Sequence, residues 1–176
     1  MTRSRPWHLV RRAVGTLVPL APRAADSVWA IDQLLPGEAR LWASMRAADR
    51  RHSIAVAKRV QARLGDGATR AILAAALLHD VGKVDADLGV YGRTVATLSG
   101  AAVRHDPETI RDWTRTRGFT RRVGLYLQHP KLGGDMLELA GSDPLTVTWT
   151  REHHLPAEEW TLAPDVARAL RDADDD

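Results

Sequence analysis

The sequence predicts an all-α protein, a single helical bundle. Three observations predict it. Apolar residues recur at three- and four-residue spacing through most of the chain. Prolines and small polar residues stand where helices would start, and glycines where they would stop. Strand signals are nearly absent: the β-branched run Leu145-Thr146-Val147-Thr148 falls inside a helical pattern, and no Asn-Gly hairpin turn occurs.

The elements follow in order. The opening stretch, RPWHLVRRAVGTLVPLAPRA, sets Trp7, Val10, Val14, Leu17 and Val18 at helical spacing among arginines. It reads as a basic amphipathic segment over residues 1–26, ahead of one helical domain over 27–176. Arg11-Arg12 and Pro19 break the apolar run that a secretory signal needs. The segment is expected to pack on the domain or on a partner, with weak contact to a membrane surface as the other use. Pro36-Gly37 opens a helix with Leu41, Trp42 and Met45 on one face. Asp49 is placed to cap the next helix, 50–64, with Ile54, Val56, Ala57 and Val60 as its apolar stripe and Gly65 as its stop. The helix over 68–80 is apolar nearly all round, which makes it the central one. Further helices are expected near 87–103, 106–117 and 119–127. Pro130 starts a helix ending near Gly141, Ser142 or Asp143 caps one that reaches His154, and a last helix follows Pro164.

Composition narrows the chemistry. The chain has 176 residues, 44% hydrophobic and 27% charged, which suits one globular domain with a core. There are no cysteines, which excludes disulfides, thiol catalysis, Cys-ligated zinc and iron–sulfur clusters. Any metal chemistry falls to seven histidines and the carboxylates. The net charge is +3; only three basic residues are lysines (Lys58, Lys83, Lys131), so 25 − 3 = 22 are arginines. That charge is diffuse. It fits an anionic small molecule better than specific nucleic-acid binding. No apolar run reaches the ~18 residues of a membrane span, and a cytoplasmic location is expected.

Five histidines fall where a bundle could bring them together: His52 early in the second helix, His79 at the end of the central helix, His129 before Pro130, and the pair His153-His154. Asp80 follows His79 directly, and Asp172, Asp174, Asp175 and Asp176 close the chain. Imidazole and carboxylate donors suit divalent cations of borderline softness. His79 and Asp80 stand ~100° apart around a helix and both address a pocket at its tip. Asp80 is placed to bridge two cations, between which a water loses its proton near neutral pH and becomes a nucleophile. Lys83, just beyond, is placed to neutralise an anionic oxygen.

These residues resemble the HD-domain metal-dependent phosphohydrolase superfamily. RRHSIAVAKRV is similar to its first-histidine helix, and AAALLHDVGK to the motif that names it. HPKLGGDMLELAG followed by HHLP is similar to the later histidine segments of the HD-GYP branch, although LPAEEW stands where that branch has Gly-Tyr-Pro. The likeness spans roughly residues 49–174. It implies an HD-type helical core and two divalent metals, iron or manganese, with zinc or magnesium as alternatives. His52, His79, Asp80 and Asp174 would hold the first; Asp80, His129 and His153 or His154 the second, with the other member of that pair a ligand too or facing phosphate. Asp80 and Lys83 would be the catalytic residues, with Arg50 or Arg51 helping Lys83 on phosphate. The expected activity is hydrolysis of a nucleotide or other phosphoester by a metal-bound hydroxide. The alternative is an HD-fold sensor that binds a nucleotide without turning it over.

Overall fold

The computed structural model describes residues 21–176. The amphipathic helix expected around Trp7 to Val18, and His8 with it, lies outside them. The described residues form ten α-helices and no strand: α1 (Ala24–Asp32), α2 (Pro36–Ser44), α3 (Ala47–Leu64), α4 (Arg70–Leu78), α5 (Val90–Ala102), α6 (Pro107–Thr114), α7 (Gly118–Leu127), α8 (His129–Leu139), α9 (Pro144–Glu152) and α10 (Pro164–Asp175). The all-α bundle expected from the sequence is the fold observed. Helix α1 had no counterpart in that expectation; no side chain caps its start to mark it.

Helix α4 is the axis. Every residue from Ile72 to Leu78 is buried, as its apolar sequence requires. It starts two residues later than expected because Thr69, in extended backbone, takes the N-cap and accepts the Ile72 N–H. Helices α2, α3, α9 and α10 pack around it. Trp42, Val56, Val60, Leu137, Trp149 and Leu170 fill the space between them. The Trp42 indole N–H finds the buried Ser53 hydroxyl at 3.1 Å, so this large core side chain leaves no polar atom unsatisfied.

The expectation that Asp49 caps α3 is corrected. The helix begins at Ala47, which puts Asp49 inside the first turn. Its carboxylate instead takes a two-pronged ion pair from Arg93 of α5, at 2.6 Å on each oxygen. Gly65, at φ +53°, does end α3.

Residues 86–127 build a smaller second core of Ala86, Leu88, Ala96, Val123 and Leu125. A short 3₁₀ turn, Val81–Val84, joins α4 to it and lies against α8. Gly82 makes that contact possible. A Cβ there would stand 2.1 Å from the His129 carbonyl oxygen and 2.6 Å from the Gly133 nitrogen. The glycine therefore sets how closely the end of α4 approaches the start of α8, and both ends carry site residues.

Candidate metal centre

Three buried histidines share one local construction. His79 is the C-cap of α4, His129 comes two residues after the end of α7, and His153 is the C-cap of α9. Each sits where the last turn of a helix has carbonyls without an intrahelical donor. In each, Nδ1–H donates to the carbonyl three residues back: Ala76 at 2.9 Å, Tyr126 at 2.7 Å and Thr150 at 2.9 Å. A carbonyl only accepts, so Nδ1 carries the proton and Nε2 presents a lone pair. All three Nε2 atoms are buried and have no hydrogen-bond partner.

Those lone pairs converge on Asp80, the residue after His79. Its Oδ1 lies 3.3 Å from His129 Nε2 and 3.7 Å from His153 Nε2; its Oδ2 lies 3.5 Å from His79 Nε2. Burial alone would raise the Asp80 carboxyl. The Lys83 ammonium, 2.5 Å from Oδ2, reverses that and holds it well below the usual carboxylate range. Burial pushes His129 and His153 down to about 4, so both are neutral near pH 7. Acceptors thus face acceptors across the centre, an arrangement that could hold a cation between them.

Two groups share Asp80. Asp80, His129, His153 and His154 offer donor atoms all within 4.8 Å of one another, and so do His52, His79 and Asp80. His154 stands at the exposed rim, its ring 4.0 Å from that of His153 and 5.1 Å from that of His129. Asp174, in the last turn of α10, reaches the second group from outside it. Its Oδ1 is 2.8 Å from His52 Nε2 and 3.7 Å from His79 Nε2. Burial would raise this carboxyl too, but His52 and His79 hold it far below its usual range. All seven residues expected to be ligands therefore meet in one place, and these groups could hold a metal ion. The ends of α4, α7, α9 and α10 also point there, bringing the negative poles of four helices to a site that suits positive charge.

Supports with no signal in the motifs come from distant positions. Arg171 donates to the His153 carbonyl at 2.6 Å, and Arg59 to the Ala173 carbonyl at 2.9 Å, fixing the residues beside His154 and Asp174. The Asp49–Arg93 pair sits one turn before His52.

Lys83 pairs with Asp80, and Asp87, four residues further on, binds Arg46 and Arg122. Lys83 also stands 5.8 Å from the centre of the Tyr126 ring. Arg50 is not a phosphate ligand in this geometry. It donates to the Ala43 and Met45 carbonyls and lies over Trp42. Arg51 lines a shallow groove between α1 and α3 with Ile54 and Lys58. His105 lies in an exposed turn with its ring against Gly100, away from the centre. Comparison with protein-family models, with curated proteins and with solved structures finds no match to this chain.

Proposed function

We propose that the chain is a metal-dependent phosphohydrolase with two divalent cations sharing Asp80, acting on a nucleotide or another phosphoester. One observation carries this reading: three buried imidazole lone pairs aimed at the two oxygens of one carboxylate. His52, His79, Asp80 and Asp174 would hold one cation, and Asp80, His129, His153 and His154 the other. The nitrogen and oxygen donors, with no sulfur, suit iron or manganese first, then zinc or magnesium. Bound there, a cation pair supplies Lewis acidity and lowers the pKa of a coordinated water.

The chain's own residues do the rest. The backbone carbonyls under the three histidines keep each Nε2 deprotonated and aimed inward, so no proton is displaced from them when a cation arrives. Lys83 stays protonated. Burial opposes its charge, but Asp80 outweighs burial and raises its pKa. With a cation held on Asp80, the Lys83 ammonium would be able to turn to a phosphate oxygen, where a charged hydrogen bond is worth about 1.5–3 kcal/mol.

The test is elemental analysis of gently purified protein, then a panel of phosphoesters on the metal-loaded form. Bound or readily acquired transition metal with turnover of one phosphoester class is expected. Lys83→Met should keep the metal and lose roughly 10- to 150-fold in kcat/KM. Protein that takes up neither a transition metal nor magnesium ends the proposal. Metal uptake with no turnover leaves a nucleotide-binding module.

A further inference from the structure

The fold uses the peptide oxygen and the ring of Tyr126 but not its hydroxyl. The peptide oxygen takes the His129 Nδ1–H at 2.7 Å. The half-buried ring packs against the second core. A phenylalanine would do both. The hydroxyl has no hydrogen-bond partner among the described residues, and it is not one of the polar atoms sealed from solvent, so water reaches it. A half-buried ring beside a cluster of ligands thus carries a donor that nothing in the bundle takes up.

Four contacts close a circuit through this side chain. The rings of Tyr126 and His129 stand 5.6 Å apart, tilted by 36°. His129 Nε2 lies 3.3 Å from Asp80 Oδ1. Asp80 Oδ2 lies 2.5 Å from Lys83 Nζ, and that ammonium stands 5.8 Å from the centre of the Tyr126 ring. The phenol is close enough to act on the Lys83 charge. Burial lowers the Lys83 pKa, Asp80 raises it, and Tyr126 is the next group that raises it. Tyr126 therefore borders both a candidate ligand and the ammonium of the centre.

We propose that Tyr126 contacts the substrate, its hydroxyl donating a hydrogen bond to an oxygen of the same phosphoryl group that Lys83 holds. This rests on the phosphohydrolase reading of the centre. A phosphoryl group brings three strong acceptor oxygens, and each needs a donor or a cation once it leaves water. Lys83 answers one of them. A phenol answers another without adding charge, where a second cation would be repelled by the ammonium.

Tyr126→Phe removes only the hydroxyl. Metal content by elemental analysis and Tm should match the parent, because the ring and the peptide carbonyl under His129 stay in place. The probe is inorganic phosphate, titrated by calorimetry into protein that carries its bound metal and has been freed of unbound ions. The variant should bind phosphate roughly 10- to 150-fold more weakly than the parent, the effect of one hydrogen bond to a charged group. On any phosphoester that the parent turns over, kcat/KM should fall with it. Equal phosphate affinity in variant and parent overturns the proposal and leaves the phosphohydrolase reading standing. A variant that loses metal or melts lower overturns it as well, because the hydroxyl then belongs to the scaffold. A parent that holds no metal, or holds metal and binds no phosphate, overturns both.

Discussion

Asp80 is the single residue on which both halves of the centre depend. Its two oxygens face different histidines, so it alone touches both groups. On the proposed two-cation reading, Asp80→Ala should abolish all metal binding, whereas His129→Ala should spare the His52–His79 half; metal stoichiometry by elemental analysis separates the two outcomes. Asp80→Asn keeps the shape and should still lose most of the metal, because the negative charge is what the cations share. The same residues set the acid sensitivity of the metal-free protein. His129 and His153 have pKa values pushed from 6.5 down to about 4. The unfolded chain therefore binds their protons first as pH falls, and stability is lost between about 6.5 and 4. Asp80 and Asp174, held below 3.8, add to that loss only at still lower pH. Tm of the metal-free protein should stay flat above pH 6.5 with respect to these groups and drop below it; a Tm that rises on acidification would contradict the neutral, inward-facing imidazoles. The candidate ligands could be picked out in the sequence because all but His52 stand beside a helix end. The partner of Lys83 could not. The 3₁₀ turn carries its ammonium back to Asp80, while Asp87 is claimed by two arginines that are near only in the fold.

Among the elements, α4 and α8 are coupled through Gly82. A methyl group there collides with backbone on both sides, and backbone yields less readily than a side-chain tip. Gly82→Ala should cost about 1–3 kcal/mol by forcing the 3₁₀ turn away from α8. The displacement separates His129 from Asp80, so metal should be lost from that half before the His52 half. Thermal melts and metal stoichiometry measure both effects; a variant with native Tm and full metal would show that the close approach is dispensable. Helix existence was legible nearly throughout, since apolar period and proline placement act within one turn. Starts were less so. Thr69 took a cap that the sequence assigned to no residue, and Asp49 gave up its expected cap for Arg93, 44 residues away. An arginine in an otherwise uncharged helix says that it has a partner; only the fold says which.

On the scale of the molecule, the candidate ligands come from α3, the end of α4, the α7–α8 junction, the end of α9 and the end of α10. A cation bound there links elements from nearly the whole length of the described chain. Binding only the folded form at a hundred times its dissociation constant contributes about 2.7 kcal/mol. For a chain this size that is a rise in Tm of roughly 5–11 °C. Adding manganese or iron to chelator-treated protein, followed by calorimetry, checks the figure; an unchanged Tm at saturating metal would mean that the five elements are not joined there. The bundle and its central helix could be read from local pattern. The second core could not, because residues 86–127 carry neither a ligand nor a strong motif and their role is to pack against the rest.

The backbone carbonyls beneath His79, His129 and His153 have a consequence for how this protein can vary over generations. The groups that orient these rings are peptide oxygens, which every amino acid provides. Exchanging Ala76, Tyr126 or Thr150 for another helix-forming residue leaves the oxygen in place. Packing still limits Ala76 and Thr150, both fully buried, but it is the fit of their side chains and not the tautomers that restricts them. Only proline, or a shift of the helix end by one residue, erases the tautomers.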